Sequence, residues 1–408
     1  APEERLTSSS EGLTEQTIEN AAATLSCDPF PLALRDELRD AVQRVADTWL
    51  ATEGPPKKMA WSWGEGVLAY GLVAASRSTG DTRFSDYVRA YTQHHMAEAR
   101  PIEWSDHTTP ALAALELAAE NPADQALLPI VDRVVSYIMT APRTEASGLM
   151  LHLGDRKDEW YIRLGKAFLP NAFPDAWVDT LFHVVPTLRR YTELTGDPSY
   201  LDEAVFQTRG FFRALQDPIS GLLAHGYFDA PKDKVVPAFS NDEFWARGNG
   251  WAIATGVDLL AGLPPSPARE ELASRVRTLE AALRSHQDHK TGLFHTLVRK
   301  KSTYIETAGS GLIVYGMAHG LRAGLFDDET RDAATRGGEG LLSRLRKSGA
   351  STRVTGTSIG TNPVAGLYRF VPVRDQVTYG VGAFLLAASE IAGPASEATR
   401  ASCGDSLD

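Results

Sequence analysis

The chain has 408 residues, of which 43% are hydrophobic and 23% are charged, and its formal net charge is −11 at pH 7. This composition is ordinary for a globular protein, and the acidic balance argues against nucleic acid as a partner, because nucleic-acid binding usually needs a basic face. No apolar run is long enough to span a bilayer, so we expect no association with a membrane.

No Ser/Gly-rich, Pro-rich or single-sign linker divides the chain, which predicts a single domain over residues 31–400 after an N-terminal extension over residues 1–30. The chain begins with Ala1, as a mature protein does after signal cleavage. We therefore expect a secreted protein with a disulfide between Cys27 and Cys403, and two free thiols are the alternative. The pair is too sparse for a metal site or a redox motif.

Helical periodicity runs through nearly the whole chain, and strand-like alternation is scarce. One apolar stripe begins at Val67–Val73, and another covers Leu201–Leu215. Two similar phrases, Ser78–Asp81 and Leu194–Pro198, separate helical segments. In each phrase Gly suits a left-handed helix C-cap and Asp suits the next N-cap, which predicts a tight turn between two helices.

A second phrase occurs three times, and each copy places a Ser or Thr, a Gly and a Leu shortly before a histidine. The three histidines are His152, His225 and His295, and the glycines stand 73 and 71 residues apart. About six units of 60 to 70 residues would fill the chain, which predicts six helical hairpins. The last long helix, around Val381–Ala388, is apolar on nearly all sides. This favours closure into a ring over an open solenoid.

Two segments place aromatic rings and carboxylates where a hairpin loop precedes an apolar helix. Trp61–Gly66 precedes the helix at Val67, and Trp104–Pro110 contains Asp106 and precedes a helix near Ala111. Asp106 either caps backbone amides at that helix start or belongs to a ligand site at the mouth of the ring.

A carboxylate lies in the otherwise apolar helix start at Phe173–Phe182. This carboxylate, Asp179, must be paired, hydrated or functional. Burial beside Trp177 is expected to raise the pKa of Asp179, so that one group holds a proton near neutral pH and later acts as a base. The alternative is that Asp179 caps backbone amides. One turn later, His183 either hydrogen-bonds Asp179 or is a satisfied core histidine.

The segment Trp245–Trp251 combines two indoles, a guanidinium, an amide and two glycines in seven residues. Trp245 and Trp251 offer flat apolar faces for a pyranose ring, and Arg247 offers a planar fork for a carboxylate. The segment therefore predicts a wall that binds a sugar acid, and the alternative is a helix start whose aromatics pack on a neighbouring helix. His225, on a loop, is a candidate donor to a ligand carboxylate or ring oxygen.

Several catalytic motifs are missing from the sequence. It contains no Gly-x-Ser-x-Gly elbow, phosphate loop, His-Glu-x-x-His motif or calcium loop, and its Gly248-Asn249-Gly250 lacks the third glycine of a dinucleotide fingerprint. We therefore expect neither a metal nor a nucleotide cofactor.

Three segments together, in their order and approximate spacing, resemble glycoside hydrolase family 105, the unsaturated rhamnogalacturonyl hydrolases, and more distantly the unsaturated glucuronyl hydrolases. They are Trp177–Phe182, His225–Tyr227 and Trp245–Trp251, and Glu306–Gly311 and Gly382–Ala387 add to the similarity. The resemblance covers residues 60 to 395. It implies an all-α fold, an (α/α)6 six-hairpin barrel in a single domain.

The same resemblance implies an enzyme that removes a terminal C4=C5 unsaturated uronic acid from the oligosaccharides that polysaccharide lyases leave behind. Asp179 would protonate C4 of the vinyl ether and help water to add at C5, and Asp106 would be a second carboxylate of the site. His225 and Arg247 would hold the uronate, and Trp177, Trp245 and Trp251 would stack on its ring.

Two departures from the family concern the leaving group. The segment 154–171 is longer than its counterpart, and His183 stands where a small apolar or Met side chain is usual. Two other function classes also stay open. Inward-facing histidines at His152, His225 and His295 suit a sugar isomerase or epimerase on a similar toroid, and the Trp residues alone suit a noncatalytic carbohydrate-binding protein.

Overall fold

The computed structural model describes residues 28–168, 173–229, 234–236 and 242–397. Cys27 and Cys403 lie outside these described residues, so the disulfide expected between them stays a prediction.

Thirteen α-helices occur in the described residues. In chain order they are α1 (Leu32–Thr52), α2 (Trp63–Thr79), α3 (Thr82–Glu98), α4 (Pro110–Glu120), α5 (Leu128–Thr140), α6 (Trp160–Phe168), α7 (Asp179–Thr195), α8 (Pro198–Leu215), α9 (Ala246–Gly262), α10 (Pro267–His286), α11 (Thr307–Arg322), α12 (Asp328–Leu342) and α13 (Thr378–Ala392). None of them is both long and apolar enough to cross a membrane.

The helices form two concentric layers. Six of them, α2, α4, α7, α9, α11 and α13, make the inner ring, in which each packs against the next and α13 packs back on α2. The helices α1, α3, α5, α8, α10 and α12 alternate with them along the chain. The predicted closed barrel of six hairpins is thus confirmed, with α6 as an additional helix.

Both predicted helix-to-helix turns are present. Gly80 and Gly196 cap their helices with φ values of 77° and 73°. The side chains of Asp81 and Asp197 then accept hydrogen bonds from backbone N–H groups two residues later and start α3 and α8. The local chemistry of Gly followed by Asp therefore sets the connections within two hairpins.

The repeated Gly-Leu phrase is one recurring turn. Gly148, Gly221 and Gly292 have φ values of 71°, 76° and 69°, and the N–H of each donates to the carbonyl four residues earlier. The leucine after each glycine is fully buried. Each turn ends an outer helix region and returns the chain toward the same end of the ring.

The part of the chain that the structure describes also forms seven short strands, in keeping with the scarce strand pattern. β1 (Ala176–Trp177), β2 (Gly226–Phe228) and β3 (Lys234–Val236) form an antiparallel sheet in that order. The others are β4 (Leu345–Ser348), paired with β5 (Ser351–Val354), and β6 (Thr357–Ser358), paired with β7 (Val373–Arg374). The pairing of Trp177 with Gly226 brings the chain before α7 beside His225.

Glycines let the backbones of inner helices touch. A Cβ built on Gly382 of α13 would lie 2.5 Å from the carbonyl oxygen of Val67 in α2, and one on Gly71 would lie 2.8 Å from the carbonyl oxygen of Gly382. These distances leave no room for a methyl group, so the α2–α13 contact that closes the ring depends on glycine.

Candidate active site

A cavity of about 260 Å³ opens at the end of the ring where inner helices begin. Its wall includes five of the seven residues that the sequence analysis assigned to a site: Asp106, Trp177, Asp179, Trp245 and Arg247. Five residues that the sequence assigned to one site therefore lie together at this cavity, and their roles stay predictions.

Asp179 is the first residue of α7, and its side chain caps no backbone amide there. Its Oδ2 atom lies 3.2 Å from Nε2 of His225. The capping alternative is therefore wrong, and the carboxylate is held by an imidazole while it borders the cavity.

His225 lies behind Asp179 and is fully buried rather than part of the cavity wall. Its ring stacks on Trp245 at a centroid distance of 4.2 Å, and its Nδ1 atom lies 2.9 Å from the hydroxyl of Tyr368. When that hydroxyl donates to Nδ1, the proton of a neutral imidazole is on Nε2 and points at Asp179. The arrangement suits orientation of Asp179, whereas the sequence analysis expected His225 to contact the uronate.

The pKa of Asp179 differs from the expectation. Burial alone raises it, as expected, but the hydrogen bond and electrostatic interaction with the imidazole of His225 oppose burial, and the pKa is lowered to about 2. Periodicity along one helix predicted the apolar surroundings of Asp179 but not histidines from other hairpins, which is why the predicted direction was wrong.

Asp106 has the opposite electrostatic environment. It lies in a 3-10 turn, Ser105–His107, where it caps no helix, and it is 6% exposed. Burial and then the negative charge of Asp179 raise the pKa of Asp106 well above its usual range. The two carboxylates thus differ in proton affinity, and Asp106 binds a proton more tightly than Asp179.

Two buried histidines lie beside Asp106. Nε2 of His152 is 3.5 Å and Nδ1 of His183 is 3.7 Å from Oδ1 of Asp106. Burial lowers the pKa of His152 to about 3 and that of His183 to about 4, so both rings are neutral near pH 7. His183 therefore faces Asp106 and the hydroxyl of Ser105, rather than forming the hydrogen bond to Asp179 that the helix spacing suggested.

The indoles have two different roles. Trp177 stacks on His152 at 4.3 Å with nearly parallel planes, and both Trp177 and Trp245 border the cavity. Trp251 instead is buried in the main core and meets Trp63 edge-on at 6.2 Å. Trp63 lines the cavity, so Trp251 supports a wall residue and is not itself part of the wall.

Arg247 is 1% exposed and is held by several acceptors. Nη1 donates to Ser358 Oγ at 2.8 Å and lies 3.5 Å from Glu306, and Nη2 donates to Ile359 O and Thr361 Oγ1. Its guanidinium also lies over the ring of Trp245, 4.5 Å from the centroid. The fork predicted for a ligand carboxylate is thus largely engaged in fixing the 358–361 segment.

Sequence reasoning missed several residues of the site. Trp104, Phe173 and Gly360–Asn362 line the cavity, and Tyr368 fixes His225. Trp104 and Phe173 begin two segments that the sequence singled out for their carboxylates. Residues 360–368 belong to no motif and come more than a hundred positions after Arg247, so only the closed ring brings them near. His152 also lines the cavity, and the repeated Gly-Leu phrase was the sequence feature that pointed to it.

The third histidine of the repeat does not reach the cavity. Nδ1 of His295 faces the carbonyl of Thr303, and Nε2 lies 3.5 Å from Asp288. The segment 154–171, described up to residue 168, contains α6, and Ile162 of α6 lines the cavity beside Leu153. This longer segment therefore shapes one side of the mouth.

Comparisons with known proteins agree with this geometry. The chain matches the model of Glycosyl Hydrolase Family 88 over residues 36–393. It is similar to an unsaturated 3S-rhamnoglycuronyl hydrolase of Alteromonas sp. (strain LOR), with 26% identity over 81% of this chain and 77% of that protein. It is also similar to the unsaturated rhamnogalacturonyl hydrolase YesR of Bacillus subtilis, with 24% identity over 79% of this chain and 87% of that protein.

A solved structure has the same fold. A possible member of the GH105 family from Klebsiella pneumoniae superimposes with a TM-score of 0.74 at 23% sequence identity, covering 88% of this chain and 93% of that chain. The family match spans the whole ring of helices and every residue of the cavity wall.

Proposed function

The chain belongs to Glycosyl Hydrolase Family 88, and from that premise we infer that it is a glycosidase that removes a terminal unsaturated uronic acid from an oligosaccharide. The predicted resemblance is thereby confirmed at the level of family. We propose that the substrates are the C4=C5 unsaturated products that lyases release from rhamnogalacturonan or a related polysaccharide.

One observation carries the proposal: two carboxylates of different proton affinity share a cavity walled by indoles. Ordinary glycosidases use two carboxylates to attack and protonate the groups at the anomeric carbon. A C4=C5 double bond conjugated with the ring oxygen accepts a proton on carbon instead. Asp106 and Asp179 together hold the one proton that this reaction needs.

We assign the proton transfers to Asp179. The carboxylate of an arriving uronate brings negative charge into the cavity and raises the proton affinity of Asp179, which takes up the proton of the pair. Asp179 gives this proton to C4, and positive charge develops at C5 and on the ring oxygen. Asp179 then accepts a proton from the water that adds to C5, so that it ends in the state in which it began.

The product of hydration releases the leaving sugar without further catalysis by a second nucleophile. Addition of water at C5 gives a hemiketal, in which the bond between C5 and the ring oxygen breaks to form a ketone. The ring oxygen then remains on C1 as a hemiacetal, whose collapse to an aldehyde frees the leaving sugar as an alcohol. Protons and bonds balance with water as the only co-reactant.

The remaining residues position the substrate. Trp177 and Trp245 provide apolar wall against which the uronate ring packs. The imidazole of His225 and the guanidinium of Arg247 hold the ring of Trp245 in place. Arg247 contributes the positive charge of a guanidinium whose Nη groups are already bonded, so it attracts the uronate through its field and orders the 358–361 segment. His225 keeps Asp179 in place.

The two alternatives are less well supported. An isomerase with three inward histidines is not favoured, because His225 lies behind Asp179 and His295 lies outside the cavity wall. A noncatalytic carbohydrate-binding function does not explain why two carboxylates, Asp106 and Asp179, are placed together in the cavity wall. Neither class has support from the family match.

The test is loss of the near-ultraviolet absorbance of an unsaturated uronide. With lyase-generated rhamnogalacturonan fragments, the wild type is expected to bleach this band. Asp179→Asn is expected to bleach it about a thousandfold more slowly, since general acid–base groups contribute rate factors of this order.

Asp202→Asn is the matched control, because this aspartate is exposed on α8. It should keep wild-type activity and the same circular dichroism as Asp179→Asn. Unchanged bleaching in Asp179→Asn would refute the assignment of Asp179. A wild type that bleaches no unsaturated uronide would refute the function.

A further inference from the structure

A cluster of three side chains next to Asp179 has the composition of a metal site. It consists of Asp106, His152 and His183, called here the DHH cluster. One ligating atom of each lies within 4.8 Å of the other two, and all three residues are buried. One carboxylate with two imidazoles is a ligand set that binds zinc and other first-row divalent ions.

The spacing within the DHH cluster fits a small central ion. Oδ1 of Asp106 lies 3.5 Å from Nε2 of His152 and 3.7 Å from Nδ1 of His183. Ligand atoms about 2.1 Å from a tetrahedral zinc ion are roughly 3.4 Å apart. The two distances to Asp106 are close to this value, and the ligating atoms of His152 and His183 lie within 4.8 Å of each other. The same distances are too long for good direct hydrogen bonds, which leaves the three groups facing a shared gap.

Two neighbouring hydroxyl groups already orient the imidazole of His152. Nδ1 of His152 lies 2.8 Å from the hydroxyl of Ser105 and 3.0 Å from that of Thr180, so its Nε2 atom is aimed at Asp106. Metal-bound histidines usually have their other ring nitrogen fixed in this way. The ring of His152 is also clamped by its stacking on Trp177.

His183 adds an independent observation. It is 1% exposed, and its Nδ1 atom, which faces Asp106, has the hydroxyl of Ser105 at 3.4 Å as a long hydrogen-bond contact. A buried ring nitrogen so weakly bonded is available to a ligand.

We propose that the DHH cluster binds one divalent transition-metal ion of the Zn²⁺ or Co²⁺ type, with a coordination position open to the cavity. A bound ion occupies Oδ1 of Asp106, a carboxylate of the cavity wall, and blocks that part of the wall to the substrate. The ion therefore inhibits the hydrolase reversibly. This consequence rests on the proposed function, whereas the binding of the ion does not.

The experiment is a titration of chelator-treated protein with Co²⁺, followed by its visible absorption and by calorimetry. One equivalent is expected to bind with the spectrum of nitrogen and oxygen ligands in a low-symmetry site. His183→Met removes one ligand and should weaken binding at least a hundredfold. Thr180→Val removes the hydroxyl that lies 3.0 Å from Nδ1 of His152 and should weaken Co²⁺ binding about 10- to 100-fold.

His94→Gln is the matched control, because His94, His95 and Glu98 form another histidine-containing group on α3. It should leave the affinity, the spectrum and the activity unchanged. Circular dichroism of His183→Met establishes that it is folded, and Asp106→Asn provides a second variant that should lose the site.

The outcomes separate the two proposals. Co²⁺ binding that is lost in His183→Met supports the metal site even if no uronide is hydrolysed. Hydrolysis by a protein that does not bind Co²⁺ supports the hydrolase function and refutes the metal site. Binding unchanged in both His183→Met and Asp106→Asn also refutes it. Bound Co²⁺ that leaves hydrolysis unaffected would overturn the inhibition.

Discussion

At the scale of single residues, the site depends on how one proton is shared between two carboxylates. The sequence singled out Asp179, because a carboxylate in an apolar helix start must be paired, hydrated or functional. In the structure Asp179 lies in the cavity wall. The sequence did not predict the charge state of Asp179, because His225, which lowers its pKa most, comes from the following hairpin, 46 residues further along the chain. The neighbours of Asp179 in the sequence predict that it is buried, but the groups that set its pKa are brought to it by the tertiary structure.

His225 is predicted to act through Asp179 and not on the substrate. Replacing it with Phe removes the N–H that points at the carboxylate, so the pKa of Asp179 should rise from about 2 toward or above its ordinary value. The acid limb of the kcat/KM profile, which reports the free enzyme, should move to higher pH. We expect kcat to fall roughly tenfold or more while KM changes little.

His225→Gln keeps an N–H donor and should restore part of the lost rate and move the acid limb back. Tyr368→Phe should weaken the fixed tautomer of His225. Tyr304→Phe is the control, because the hydroxyl of Tyr304 donates to the backbone carbonyl of Tyr368 at 3.3 Å and not to His225. A rise in KM alone in His225→Phe, with an unchanged pH profile, would instead mean that this histidine binds the uronate.

At the scale of helices and turns, sequence chemistry predicted the hairpins well. Gly followed by Asp set two turns, and the Gly-Leu phrase marked three more. The sequence assigned Trp251 to the sugar-binding wall, because residue type alone does not distinguish a tryptophan in the core from one that lines a cavity. Trp251 is buried within α9, whereas Trp245 precedes this helix and lines the cavity. The difference follows from position relative to the helix start.

The glycine contact between α2 and α13 yields a stability prediction. Gly382→Ala places a methyl group against the carbonyl of Val67, which neither helix can avoid without moving apart. We expect a loss of about 1–3 kcal/mol in the free energy of unfolding, measured by urea denaturation.

Gly360→Ala is the control for this change, since a Cβ at Gly360 meets no atom within 4 Å and its φ is not positive. It should alter stability by only a few tenths of a kcal/mol. Equal stabilities of the Gly382 and Gly360 variants would show that the inner ring tolerates separation at its closing contact.

At the scale of the whole molecule, ring closure puts polar groups at both ends of the inner helices. One end carries the candidate active site. The other contains Arg190, whose Nη1 lies 2.8 Å from Asp258, and Asp258 also contacts Arg189 at 3.0 Å. The repeat length predicted six hairpins, but not these ion pairs, because arginines on a helix near its C-terminus usually face solvent. Closure is what buries them.

The buried neutral histidines make stability depend on pH. His183 has a folded-state pKa of about 4, below the ordinary value of 6.5, so below pH 6.5 the unfolded chain binds a proton that the folded protein does not. Its contribution therefore lowers stability as pH falls from 6.5 toward 4, and no further below that. Between pH 7 and 5 this amounts to about 2 kcal/mol, at 1.36 kcal/mol per pKa unit.

His183→Met removes this contribution. Its free energy of unfolding, from urea titrations at pH 7 and pH 5, should therefore decline about 2 kcal/mol less than that of the wild type over this interval. His289→Gln, at an exposed position in a turn, should follow the wild type. Parallel declines in wild type and His183→Met would mean that the imidazole becomes protonated within the fold, and that the cavity admits enough water or charge to stabilise it. The same measurement thus tests how closed the barrel is around its two carboxylates.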